Sequence, residues 1–249
     1  MGAMPTAFLL KEETMEDGLN LKKVVSEILK ESFRHTNVRS ADIPNIDLYM
    51  DQVTTYLDSH LAGTARDQES DKFLTKTMIN NYTKNHLLPP PNKKKYSKDH
   101  MMLLVFIYYL KNFMSMSDIG EILGPMKDSF FEGKKELSIE QIYDRIVRLE
   151  MESVTDLRRD ITKKVSRAEA LFSDIPEEDR EYMELFTLVS LLGYDLYLKK
   201  FLIEKLIDAY GDKLSPDAAE DAAKKKSKTA KPAEDAGNAA AGRENKKQK

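Results

Sequence analysis

Three features of this 249-residue sequence predict an all-α fold. Ten glycines and nine prolines are too few for a loop-rich all-β architecture. Charged residues make up 33% of the chain, and its Leu, Ile, Lys and Glu content favours helices. Apolar residues also recur at helical spacing in one segment after another.

The helices follow in chain order. Leu21, Val24, Val25, Ile28, Leu29 and Phe33 mark an amphipathic helix that ends before Asn37. Ile43-Pro44-Asn45 is a turn. A helix over about 47–61 is carried by Leu48, Met50, Val53, Tyr56, Leu57 and Leu61, and closes near Gly63. Thr64 to Lys72 is polar loop. Thr75 caps a short helix to about Asn85, with Met78, Ile79 and Tyr82 on one face. Pro89-Pro90-Pro91 stops it, because proline pushes its predecessor out of helical space. Ser97 and Asp99 open a helix to about Phe113 that is apolar on nearly every side, the mark of a central core helix. Ser117-Asp118 starts another, ending near Gly124-Pro125. Ser138 and Gln141 form a capping box for a helix reaching Phe172, roughly 50 Å long. A tight reversal at Ser173–Glu178 leads into a last helix to about Tyr210, which Gly211 can end. A helix that long finds few partners within a small chain, so the αα-hairpin over 133–212 is an expected homodimerisation region.

From Ser215 onward the chain holds no Val, Ile, Leu, Met, Phe or Tyr, so the region 213–249 is expected to be a disordered tail. Four segments result. They are an N-terminal helical extension (1–39), a central domain (40–132), the hairpin (133–212) and the tail.

Several function classes lose support. Zero cysteine removes disulfides, thiolate metal sites and a cysteine nucleophile. The four histidines, His35, His60, His86 and His100, fall in no metal-binding spacing, and no glycine-rich phosphate loop is present. No constellation points to catalysis, a metal or a cofactor, and a non-enzymatic protein is expected. The longest apolar run, Met101–Leu110, falls far short of the ~20 residues a membrane span needs. With no secretory signal either, a cytoplasmic protein without membrane contact is the expectation.

Residues 75–100 stand apart by charge. They hold six lysines and one acid, whereas the chain as a whole carries −3. A basic block on an acidic body points to an anionic partner, because clustered Lys neutralises phosphates and releases counterions. Lys76, Thr77, Asn80, Asn81, Lys84 and Asn85 share the short helix. Asn can read adenine edges in a major groove, while Lys and Thr can hold phosphates. Lys93, Lys94, Lys95 and Lys98 follow in and after the proline turn. A plainly solvated helix and lysine loop would have the same composition.

The order of these residues carries a resemblance. Ile79-Asn80-Asn81-Tyr82-Thr83-Lys84, Leu87-Leu88-Pro89-Pro90, Tyr96-Ser97-Lys98-Asp99 and Met116–Leu123 are similar to the DNA-binding domain of MerR-type regulators. Ile43–Val53 and Leu74–Tyr82 further resemble a bacterial family known only as a domain of unknown function and described as MerR-like. The resemblance spans about 40–130. It implies a degenerate winged helix-turn-helix, with Thr75–Asn85 as recognition helix, Asp47–Leu61 as supporting helix and Pro89–Lys95 as wing. The chain departs from the MerR pattern in three places. Asn80 replaces an arginine, the Ala62–Leu74 connection is long, and the wing is short.

The expected function is a transcriptional regulator binding double-stranded DNA. Lys76, Thr77, Asn80, Asn81, Lys84 and Asn85 would face the groove, and Lys93, Lys94, Lys95 and Lys98 would hold the phosphate backbone. The alternative is a protein-interaction adaptor that keeps the fold without DNA, favoured by the departures at Asn80 and in the long connection and by the acidic body. The sequence names no effector.

Overall fold

The structure is a computed structural model that describes residues 20–32, 38–61 and 74–214. The expected Thr64–Lys72 loop, and the expected 213–249 tail beyond Leu214, lie outside the described residues. The elements are α1 (Leu21–Ser32), β1 (Leu48–Tyr49), α2 (Met50–Leu61), α3 (Lys76–Lys84), β2 (Lys95–Tyr96), α4 (Lys98–Leu110), α5 (Met116–Phe130), α6 (Ile139–Leu171) and α7 (Glu177–Leu214). Single 3-10 turns lie at Ser40–Asp42 and Phe131–Gly133. The described residues are mostly helical, with one two-stranded antiparallel ribbon.

Helix α4 lies at the centre. Met101, Met102, Leu103, Leu104, Val105, Ile107 and Tyr108 are all buried, so neighbours cover it on every side. Around it a core cluster extends from Val38 to Val147 and takes residues from α2, α3, α5 and the start of α6. A second, smaller cluster joins Leu21 of α1 to Val165 and Ala168 of α6 and Leu188 of α7. Helix α6 therefore runs from one core into the other.

Polar contacts fix these joints. The phenol of Tyr143 on α6 is buried and donates to the Val38 carbonyl at 2.5 Å. Lys98 at the start of α4 donates to Glu140 on α6 at 2.6 Å. The Glu132 amide donates to the Asp99 carboxylate at 2.9 Å, which ties the 3-10 turn to the first turn of α4. In the hairpin, Lys164 of α6 pairs with Asp160 on its own helix and with Asp195 of α7 at 2.8 Å.

The structure corrects three expected boundaries. Leu48 and Tyr49 are not helical. They pair with Tyr96 and Lys95, and the Tyr49 amide is capped by the Gln52 side chain at 2.8 Å. Helix α5 starts one cap earlier, at Ser115, and continues through Pro125 to Phe130. A mid-helix proline costs about 3 kcal/mol, but Met126 and Phe130 beyond it pack against the central core. Helix α7 likewise continues through Gly211 to Leu214.

Tyr143→Phe should test how α6 is anchored. It leaves a buried carbonyl without its donor, so urea unfolding should show a loss of about 1–2 kcal/mol with an unchanged m-value. No loss would mean that the Val38 carbonyl has another partner.

Candidate nucleic-acid interface

The N-cap of α3 is Thr75, whose hydroxyl accepts from the Met78 amide at 3.2 Å. Met78, Ile79, Tyr82 and Thr83 turn toward the body, with Ile79 and Tyr82 fully buried. Lys76, Thr77, Asn80, Asn81, Lys84 and Asn85 are all exposed. The helix stops sharply. His86 takes a left-handed conformation (φ 59°), and the amides of Leu87 and Leu88 both donate to the Tyr82 carbonyl. Both leucines are buried, so the chain leaves α3 pinned to the core. Gly120 on α5 permits this approach, since a Cβ there would lie 3.3 Å from the Leu87 side chain.

After the prolines, the chain reverses at Asn92–Lys95, where the Lys95 amide donates to the Asn92 carbonyl at 2.9 Å. The two central residues, Lys93 and Lys94, both have positive φ, 48° and 65°. Two consecutive positive φ values suit a tight antiparallel reversal, where Asn-Gly is the favoured pair. Lysine pays roughly 1–2 kcal/mol per residue for that conformation. The strand then pairs Tyr96 with Leu48 and Lys95 with Tyr49. The Lys95 ammonium lies 5.1 Å from the centroid of the exposed Tyr49 ring.

One short segment joins α3 and the lysine turn. Tyr49 touches Lys95, and Asp51, two residues on, forms an ion pair with Lys76 at the start of α3. The N-terminus of α3 and the base of the lysine turn are thus held together. The ten sequence-derived candidates separate by environment. Lys98 is engaged by Glu140 with 17% of its side chain exposed, and its ammonium serves the α4–α6 joint. Lys76 shares its charge with Asp51 in solvent. Lys95 is half-buried over Tyr49, and Lys84, Lys93 and Lys94 are exposed.

His100 holds the base of the lysine turn to α4. Its Nδ1 accepts from the Ser97 amide at 3.0 Å and lies 2.8 Å from the Ser97 hydroxyl. Its ring meets Tyr96 and Phe131 edge-on. Accepting at Nδ1 requires the neutral ring. Burial pushes the imidazole down to about 4, while the carbonyls of Pro90 and Pro89 and the Asp47 carboxylate oppose the shift. Tyr49, Asp51 and His100 were not among the sequence candidates. Tyr49 and Asp51 were hidden by the assignment of 47–61 to a single helix, and His100 by its ordinary spacing.

Residues 38–146 match the family model described as a domain of unknown function (DUF1836). The match covers a little under half of the chain and ends one residue short of Val147, where the central core also ends. No curated protein and no solved structure matches the chain. Among the described residues, no group of His, Cys, Asp and Glu is placed to hold a metal ion, and no helix is long and apolar enough to cross a membrane.

The depressed His100 pKa makes the fold acid-sensitive in a defined window. The unfolded imidazole takes up a proton near 6.5 and the folded one only near 4. Stability is therefore fully present above pH 6.5 and is lost as pH falls from there toward 4. Urea unfolding should show a loss of about 2 kcal/mol between pH 7 and pH 5, ahead of most carboxylates. His100→Asn should flatten that slope whatever its absolute stability. An unchanged slope would assign the sensitivity to another group.

Proposed function

We propose that the chain is a transcriptional regulator that binds double-stranded DNA through a winged helix-turn-helix of MerR type. One observation carries the reading. Lys93 and Lys94 occupy the two positive-φ positions of the wing turn, where Asn-Gly would be easier for the backbone. Local strain retained at an exposed, doubly charged tip is better explained by a ligand than by folding.

The surrounding geometry supports this reading. Helix α3 has nine residues and is ~13 Å long, a length that suits a major groove. It presents Thr77, Asn80, Asn81, Lys84 and Asn85 outward. In this reading the asparagines read base edges, and Lys84, Lys93, Lys94 and Lys95 hold phosphates on either side. Lys98 acts through the scaffold, and Lys76 contributes once Asp51 releases it. The neighbouring acids confine attraction to this face and orient the duplex. A homodimer would present two such faces to a symmetric site.

The engaged states of Lys76 and Lys98 favour a second reading, the protein-interaction adaptor. Fluorescence anisotropy on a random duplex across a salt series distinguishes the two. Four phosphate contacts give a log–log slope near roughly −3.5. The pair Lys93→Asn and Lys94→Gly should stabilise the fold by about 1 kcal/mol while weakening every duplex and flattening the slope by roughly 2. Asn81→Ala should blunt sequence preference and leave random-duplex affinity alone. A stabilised wing variant with unchanged affinity would remove the wing from the interface. No binding at low salt would leave the adaptor.

A further inference from the structure

Helix α7 is longer than the cores it serves. Its N-terminal half buries Leu188 in the small cluster and meets α6 through Asp195 and Lys164. Its C-terminal part packs on α5, burying Ile207 and placing Gly211 beside Glu121. These two contacts use different sides of the helix. The side carrying Ile207 and Gly211 is therefore uncovered farther up, where it holds Tyr182, Phe186, Val189, Gly193, Leu196 and Tyr197. Phe186 is 57% and Val189 58% exposed. The spacing is that of a heptad stripe, with Tyr182, Val189 and Leu196 seven apart and Phe186 and Gly193 beside them.

We infer that this stripe is the dimer interface of the protein, and that it pairs with the same stripe of a second copy in antiparallel orientation, centred near Val189. Three observations select a second copy. The first is area. With Leu185 and Leu192, seven large apolar side chains average about half exposure and offer roughly 700 Å². That exceeds the ~300–600 Å² patch of an ordinary monomer and approaches the ~800 Å² per partner of a standard interface.

The second is charge. The first turn of α7 holds Glu177, Glu178 and Asp179, and Lys200, which also meets Glu204 of its own helix at 3.6 Å, lies at the other end of the stripe. Antiparallel pairing centred near Val189 brings each acidic end to the other copy's Lys200, whereas parallel pairing sets acids against acids. Arg180 does not spoil the match, because its guanidinium donates inward to the carbonyls of Ser173 and Ile175.

The third is Gly193. A Cβ there would meet nothing within 4 Å, so nothing among the described residues requires glycine. Mid-helix glycine costs about 1 kcal/mol relative to alanine. The antiparallel crossing places Phe186 of one copy against Gly193 of the other, twice over by symmetry. The bare backbone then forms the hole that the phenyl ring fills.

The inference does not depend on the DNA reading, and its test uses no nucleic acid. Sedimentation of the full chain at tens of micromolar should give twice the chain mass. Phe186→Glu should raise the dimer dissociation constant roughly thirty-fold or more. Leu149→Glu, an exposed apolar position off the stripe, should leave the dimer intact. The chain has no cysteine, so single cysteines report the register cleanly. Val189→Cys should cross-link to itself under mild oxidation. Tyr182→Cys should not, but should cross-link when mixed with Tyr197→Cys. A monomeric wild type overturns the inference, including a monomer that sediments with anionic phospholipid vesicles and so gives the stripe to a membrane. Self-cross-linking of Tyr182→Cys as efficient as that of Val189→Cys overturns the antiparallel orientation.

Discussion

A helix apolar on every side can exist in water only if other elements surround it, and α4 imposes that requirement on this chain. Met101 to Val105 form an unbroken buried run, so α4 offers no polar face to solvent. Burying such side chains is worth about 1.5–3 kcal/mol each, enough to organise the elements around it. Helices α2, α3, α5 and the start of α6 all contribute to its cover. The cost of Pro125 within α5 and the early departure of β1 from helix are small against that demand. Leu48 and Tyr96, paired across the ribbon, both bury into the same core.

The candidate interface is built on the N-terminal end of α4. Ser97 and His100 form the first turn, and His100 packs against Tyr96 at the base of the lysine turn. The lysine turn extends from a strand whose side chain is locked into the core, so its charges are presented from a firm base. On the other side, Leu87 and Leu88 fix where α3 ends, with Gly120 allowing α5 close enough to hold them. Both parts of the basic face are therefore positioned by apolar contacts directly behind them. Preorganisation of this kind reduces the ordering cost of binding a charged partner.

Much of this was legible in the sequence because the governing rules are local. Thr75, Ser97 and the Ser138–Gln141 box all sit where caps are needed, and the apolar run 101–110 identified the central helix. The outward side of α3 followed from helical periodicity alone. What escaped notice depended on pairing between distant segments. Leu48 and Tyr49 fit a helical pattern with Val53 and Leu57, and only the ribbon partner at Lys95–Tyr96 draws them out of it. Lys98 looked like its neighbours in the basic block until Glu140, far along the chain, claimed it. Lys93 and Lys94 read as charge in the sequence, and their left-handed backbone becomes visible only once the chain reverses.

The relation between the two cores gives the C-terminal hairpin a structural role beyond length. The central core and the family match both end near Val147, yet α6 continues without a break for another 24 residues to Leu171. A continuous helix transmits its direction, so the hairpin cannot swing freely about the domain. Helix α7 closes the arrangement by returning to α5, the same helix that carries Gly120 beneath Leu87. Helix α7 thus carries the exposed stripe and the contact with α5, and α5 in turn meets the exit of α3 at Gly120 and Leu87. Pairing two copies through that stripe would fix the separation and relative orientation of their basic faces. For a rigid reader of a regular polymer, that spacing selects which sites two faces can engage at once.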